Sequence, residues 1–461
     1  MGNRDKSEII KHEIFDKVKE FLEEKSKSQE FIPGKTNLQY AGAVYDHNEI
    51  NAMLESILDG WFGLSKKALE FEKALAQYLG VGEVILTNSG SSANLLSISA
   101  LTSKRLGKSH LQKGDEIIIA ATGFPSTLNP IIQNGLVPVF VDCEPVTYNL
   151  DADKIEAAIS EKTRGIMIAH TLGFPADMEK IMDIANRHDL FVVEDACDAL
   201  GSSINGKPVG TFGTAGTFSF YVAHQMTTGE GGAIVTNDKN LARIIRSFRD
   251  WGRACVCQPC KVFMNPNFNC PARFNHHSKI LNAANSISSG SMIDEYDRRY
   301  TYIEIGYNLK PLEFQAAMGI EQLKRLPDLI TSRQSNFNKL YKYFEKWKDY
   351  FILPKRGNEK YDICWFGFPL TLRDNAPFKR IDLIEFLKDN MIETRLLFAG
   401  NFLKQPAYAD IECRIFGDIV NSNTAMDKTF FFGTYKGITD EMMDYIFNTV
   451  DKFMRNICEI K

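Results

Sequence analysis

No run in this sequence stays apolar for the roughly 20 residues that a bilayer-spanning helix needs. No internal repeat and no low-complexity tract is present either. Charge of one sign is equally scarce, because 54 basic against 58 acidic side chains leave a formal net charge of −4. That balance excludes the basic footprint of a nucleic-acid binder and the polybasic patch of a membrane-surface protein. The opening residues, Met1 to Lys6, are polar and no apolar leader follows them, so the cytoplasm is the expected compartment. Cysteine is sparse, nine in 461 residues, but uneven: Cys143, Cys364, Cys413 and Cys458 stand alone, whereas Cys255, Cys257, Cys260 and Cys270 crowd together. In a reducing compartment such a cluster points to metal ligation before disulfides.

What is present is a hydrophobic share of 44%, enough for one large α/β domain and a smaller one. Residues 7–26 carry Ile10, Ile14, Val18 and Phe21 at helical spacing among many charges, which predicts an amphipathic helical extension over residues 1–32. Phe71, Ala74, Leu75 and Tyr78 before Gly80 predict another helix. From residue 84 short β-branched runs alternate with helical stretches: Val84–Thr87, Glu116–Ala120, Val137–Val141, Gly165–Ala169, Phe191–Glu194, Gly216–Phe220 and Ala233–Thr236. That alternation predicts a mostly parallel, seven-stranded sheet in a large domain over residues 33–330. An Asn-, Ser- and His-rich stretch at about 252–300 reads as a long loop, a length that is usually functional or disordered. Residues 331–461 read as a smaller C-terminal α/β domain. Ligands in such folds gather at the carboxyl ends of the strands.

Three motifs fall at those ends. Thr87-Asn-Ser-Gly-Ser-Ser-Ala-Asn-Leu-Leu ends a strand, turns at Gly90 and Ser91, and opens an apolar helix. Backbone N–H groups and hydroxyls there suit a phosphate, although a Ser-rich turn is also how an ordinary helix is capped. Glu194-Asp195 ends another strand; such an acid either caps the next helix or keeps a pyridine nitrogen protonated. The third is Gly216-Thr-Phe-Ser-Phe-Tyr-Val-Ala-His224-Gln-Met-Thr-Thr-Gly-Glu-Gly-Gly.

The third run resembles the cofactor-lysine segment of the DegT/DnrJ/EryC1/StrS sugar aminotransferases, and Asp195 and the Ser-Gly-Ser-Ser turn precede it as they do in that family. The resemblance extends from about residue 33 over nearly the whole chain. It implies the type I PLP-dependent (aspartate aminotransferase-like) fold. It further implies that Phe124, in Gly-Phe-Pro-Ser-Thr, stacks on the cofactor ring and that Ser219 holds the phosphate. Asn308 would reach the phosphate of a neighbouring subunit in a homodimer, or else be a turn residue. Arg395 would contact substrate phosphates, or form a surface ion pair.

The departure lies at the lysine position, which holds His224. Imidazole forms no Schiff base, but it can act as a general base near its ordinary pKa of about 6.5. The implied cofactor is then a non-covalently held pyridoxamine 5′-phosphate (PMP) rather than lysine-bound pyridoxal phosphate (PLP). Two branches of the family resemble this arrangement, and both remove the C3 hydroxyl of a nucleotide-linked 4-keto-6-deoxyhexose. One acts on GDP-sugars with PMP alone. The other acts on a CDP-sugar, carries a [2Fe–2S] cluster, and takes electrons from a flavin and iron–sulfur NAD(P)H-dependent reductase to yield a 3,6-dideoxy-4-keto sugar for surface polysaccharide. Asp250-Trp-Gly-Arg-Ala-Cys255-Val-Cys257, with Cys197 upstream, resembles the second branch. Its pattern would put a fourth ligand at position 265, where this chain has Asn265; Cys270 takes that role if the loop carries a short insertion, and Cys260 is the competitor. Four thiolates also suit a structural zinc. Gln225 replaces a second histidine expected beside the first. The expected function is the reductase-coupled 3-dehydrase. Its rivals are a cluster-free one-step enzyme using an amino-acid amine donor, an ordinary sugar aminotransferase, and a regulatory or binding protein on the same scaffold.

Overall fold

The computed structural model describes residues 3–27, 30–255, 257, 267–271, 273–274 and 297–458. The chain opens with helix α1 (Asn3–Lys27), on which Ile10, Ile14 and Phe21 remain exposed. Helix α2 (His47–Leu58) starts at a capping box made by Asp46 and Glu49, and α3 (Lys66–Leu79) stops at Gly80, whose φ of 68° places it in the left-handed region.

The seven expected strands are all present: β1 (Glu83–Thr87), β2 (Glu116–Ala120), β3 (Val137–Val141), β4 (Thr163–Ala169), β5 (Phe191–Asp195), β8 (Ala215–Ser219) and β9 (Gly232–Thr236). Between β5 and β8, the short strands β6 (Ser203–Ile204) and β7 (Lys207–Pro208) form a hairpin that pairs with β11 (Tyr361–Asp362). The main sheet runs β1-β9-β8-β5-β4-β2-β3-β14, and β9 is antiparallel to both its neighbours. The eighth strand, β14 (Arg414–Ile415), pairs in parallel with β3 and comes from the C-terminal part of the chain. It is two residues long, too short to leave a period-2 signal.

Alternate side chains of the strands feed two cores. Ile118, Val139, Ile166, Val192 and Val235 point to one, with Phe71, Leu75, Ile181 and Phe218. Ile117, Phe140, Met167, Val193 and Ile234 point to the other, with Leu96, Leu128, Ile244 and Phe402. A sheet covered on both faces has near-continuous apolar strands, which is why these runs were legible.

Helices α4 (Gly90–Leu101), α5 (Pro125–Gln133), α6 (Ala152–Ala158), α7 (Met178–Arg187) and α8 (Lys239–Arg249) complete that layer. A 32-residue helix, Glu313–Phe344, then runs from the first core, where it buries Ala316 and Leu326, into a third, where it buries Phe337, Leu340 and Phe344. This third core backs the antiparallel sheet β10-β12-β15-β13, made of β10 (Phe351–Ile352), β12 (Gly367–Leu372), β15 (Thr429–Gly433) and β13 (Arg395–Leu396). Leu38, from the N-terminal side, is buried in it as well and bridges to Ile392.

Candidate functional site

The carboxyl ends of β1, β2, β5 and β8 open onto a cavity of about 930 Å³. Gly90, Ser91, Phe124, Asp195, Cys197, Ser219, His224 and Arg395 all line it, so eight of the expected site residues meet there. Four do not: Asn308, Cys255, Cys257 and Cys270 lie off its wall.

At one end lies the β1–α4 turn, the expected phosphate cradle. Ser89 caps α4 by accepting the Ser92 N–H at 3.1 Å, and Thr87 Oγ1 donates to the Ser89 carbonyl at 2.8 Å. The turn lies hard against the end of β8: a Cβ on Gly90 would sit 2.5 Å from Ser219 Cβ and 2.9 Å from Cys197 Sγ. A Cβ on Gly232, in the Gly-Glu-Gly-Gly stretch, would sit 2.4 Å from the Ser89 carbonyl oxygen. Gly90 makes room for the Ser219 and Cys197 side chains and Gly232 for the backbone of the turn, and the first-turn N–H groups of α4 are the kind of donors that a phosphate takes.

Asp195 ends β5, and its carboxylate is held on both oxygens. Oδ2 accepts from Asn94 Nδ2 and from Thr127 Oγ1, each at 2.7 Å, while Oδ1 accepts the Cys197 N–H at 3.2 Å. Thr217 Oγ1 in turn donates to Asn94 Oδ1 at 2.6 Å. A carboxylate fixed this way can hold a ring N–H without reorganising. Cradle, Asp195 and the Phe124 side chain, half exposed and edge-on to Phe398 at 5.8 Å, fit a phosphorylated pyridine cofactor.

His224 sits on the loop after β8, its imidazole 5.2 Å from the Phe366 ring. Burial first, then the nearby Arg333 guanidinium, pushes it down to about 3, well below the ordinary 6.5 expected of the base, so the ring is neutral at working pH. No lysine is among the described residues that line the cavity. The Arg333 guanidinium donates to the carbonyls of Ala223, His224, Trp365 and Phe366, at 2.8–3.3 Å, which ties the histidine loop to the C-terminal core. Beside it Asp198 is pushed up to about 7, by burial and then by Asp195. Gln225, for which the sequence offered no account, donates its amide N–H to the Asp198 and Cys364 carbonyls.

Arg395 forms the expected ion pair, and its contact with substrate phosphates is taken up below. It lines the cavity, half exposed with its guanidinium 4.3 Å from the Tyr40 ring, and it pairs with Glu393. Asn308 bridges Asp250 and accepts from Lys310 Nζ at 2.5 Å.

Among the described residues the expected cysteine ligands are not brought to one place. Cys197 lines the main cavity, where burial and then Asp195 hold its thiol well above the ordinary value. Cys255 and Cys257 line a second cavity of about 360 Å³, beside Trp251 and Lys310. Cys270 lines neither, and Cys260 falls outside the described residues, as does most of the 252–300 loop. Among the described residues no group of three or more His, Cys, Asp or Glu is arranged to hold a metal. The four expected ligands therefore do not fit a cluster as they stand.

Sequence reasoning missed Asn94, Thr127, Asp198 and Arg333. Asn94 carried a signal, an amide in an otherwise apolar helix. Arg333 carried none, being one more cation in a long polar-faced helix.

The profile of the DegT/DnrJ/EryC1/StrS aminotransferase family matches residues 44–265 and 274–451. The chain is 42% identical over 444 residues to lipopolysaccharide biosynthesis protein RfbH of Salmonella typhimurium, covering 96% of this chain and 98% of that one. It is also 42% identical over 444 residues to the dTDP-4-dehydro-2,6-dideoxy-D-glucose 3-dehydratase of Saccharopolyspora spinosa, covering 96% and 92%. Among solved structures it resembles the GDP-4-keto-6-deoxy-D-mannose-3-dehydratase of E. coli with bound hydrated PLP, at a TM-score of 0.76 and 30% identity, over 90% of this chain and 99% of that one.

Proposed function

The chain belongs to the DegT/DnrJ/EryC1/StrS aminotransferase family, and from that premise we propose that it is a PMP-dependent 3-dehydrase. Its substrate would be a nucleotide-linked 4-keto-6-deoxyhexose, which loses its C3 hydroxyl. The observation that carries this reading is the pairing of an intact cofactor cavity with His224, and no lysine among its described lining residues. Relatives named as 3-dehydratases acting on dTDP- and GDP-sugars support it.

PMP, when bound, supplies the amine that meets the 4-keto group and a ring that accepts electrons. The chain does the rest. Gly90, Ser91 and Ser219 bind the phosphate, and Asp195 keeps the ring nitrogen protonated. His224 would take the C4′ proton and, as imidazolium, return it to the C3 hydroxyl so that it leaves as water. Arg395, on the cavity wall, pairs with the nucleotide phosphates once it lets go of Glu393.

CDP is the nucleotide implied by the likeness to the iron–sulfur branch. The [2Fe–2S] centre and its flavin-dependent reductase rest on cysteine spacing alone, and no step is derived through them. A second reading leaves the cluster out, the enzyme regenerating PMP from an amino-acid donor; Cys197 lines a different cavity from Cys255 and Cys257.

The test is solvent exchange of the C4′ proton of bound PMP, with CDP-, dTDP- and GDP-linked 4-keto sugars offered in turn. His224→Asn should abolish exchange while PMP stays bound; retained exchange would remove His224 from the role of base. Iron and acid-labile sulfide, measured on the same anaerobic protein, separate the two readings: both present supports the reductase route, both absent the cluster-free one.

A further inference from the structure

The imidazole of His224 has two nitrogens, and only one can serve the cavity. Nδ1 is buried and makes no hydrogen bond. Leaving a buried N–H without an acceptor costs about 1–3 kcal/mol, so a partner is expected when the site is at work. The flanking groups are otherwise engaged. Arg333 donates to the His224 carbonyl, not to its ring, and the Gln225 amide donates to backbone carbonyls. Phe366 and Tyr221 offer only ring contacts, at 5.2 and 6.4 Å. Asp198 remains: its Oδ1 lies 3.6 Å from His224 Nδ1.

Asp198 is itself well anchored. Its Oδ2 accepts the Leu172 N–H at 3.3 Å, and its carbonyl accepts the Gln225 amide on the residue next to the base. Oδ1 is thereby left turned toward the imidazole. A separation of 3.6 Å is slightly long for a hydrogen bond, and catalytic hydrogen bonds in unliganded sites are often long and tighten when the site fills.

The geometry points to Asp198 as the positioning residue of His224: it accepts the Nδ1–H and so presents the Nε2 lone pair to the cofactor cavity. The inference rests on His224 being the base. Gln225 gains a role from it, holding the backbone of the residue that orients its neighbour. An orienting acceptor behind a histidine fixes both its tautomer and its direction.

Two variants and one spectrum test this. Asp198→Ala should lower the rate of C4′ exchange about 10–100-fold, the usual effect of removing such an outer partner, with PMP affinity unchanged. Asp198→Asn should recover much of that loss, because its amide oxygen accepts the same bond. Wild-type exchange in the alanine variant, a parallel fall in PMP affinity, or no rescue by asparagine would each overturn the assignment. Should the alanine variant not fold, the ¹⁵N spectrum of cofactor-free wild-type protein decides. The His224 signal, identified by its loss in His224→Asn, should report a protonated Nδ1, and a protonated Nε2 would overturn the inference. Exchange surviving in His224→Asn would instead sink the underlying function. A dead His224→Asn beside an unaffected Asp198→Ala would sink only the role of Asp198.

Discussion

At the scale of single residues the site depends on absent atoms as much as on present ones. Gly90 has no room for a methyl group, since 2.5 Å to Ser219 Cβ is a separation that Cβ atoms do not adopt, and the atom in the way sits at the base of its side chain. Gly90→Ala must push the α4 turn off β8, and overpacking of this kind costs about 1–3 kcal/mol. The strain falls on the N–H groups that would face the phosphate. The expected result is weaker PMP binding by about tenfold per 1.4 kcal/mol carried into the site, read by fluorescence titration, with the helix content unchanged. Unaltered affinity would mean that the phosphate lies elsewhere. The ends of the cavity were legible in the sequence because Gly90, Ser91, Asp195 and Ser219 each stand where a strand stops. The partners of Asp195 and His224 were not, because Asn94, Thr127, Asp198 and Arg333 reach the site through the fold from other segments.

At the scale of elements the long apolar strands announced themselves, whereas β14 is held by chemistry that no periodicity reveals. Arg414 donates twice to the Glu116 carboxylate, at 2.9 and 2.7 Å, and Ser160 and Thr163 donate to the same group. Arg414 first of all, then the two hydroxyls, overcome burial and hold Glu116 at about 2, below its ordinary 4.5. A carboxylate held low stabilises the fold above its unfolded pKa and loses that contribution as pH falls through its folded one. The window is therefore from about pH 4.5 down to about 2. Because the arginine is one-third exposed, the pair is worth about 1 kcal/mol rather than what the shift alone would imply. Arg414→Met should speed hydrogen exchange at Phe416, whose N–H bonds the Phe140 carbonyl at the end of β14. The difference from wild type should be full at pH 7 and close as the pH approaches 2. A gap that persists in acid would assign the effect to packing of the arginine stem and not to the ion pair.

At the scale of the whole molecule, Asn308 poses the question of who completes whose site. It is exposed, and it does not line the cavity of its own chain, although Asn88 beside the phosphate turn bonds the Leu309 carbonyl one residue on. The cradle meanwhile leaves Ser91 exposed. If Asn308 serves a phosphate, that phosphate is a second subunit's, and each site of a homodimer then needs His224 from one chain and Asn308 from the other. The solution mass should be twice the 52.1 kDa of one chain. The decisive experiment mixes two inactive homodimers, His224→Asn and Asn308→Ala, under conditions that let subunits exchange. In a mixed dimer both lesions fall on one site and the other is intact, so C4′ exchange should return to about a quarter of wild type at equal mixing, as two-fold symmetry requires. Mixed dimers that form, by mass, but stay silent would mean that Asn308 acts within its own chain, and an Asn308→Ala homodimer that keeps its activity would mean that it does not act at all. Recovery would make the dimer the smallest unit that carries the chemistry, and it would explain why a site so complete around Asp195 and His224 in one chain remains open at its phosphate end.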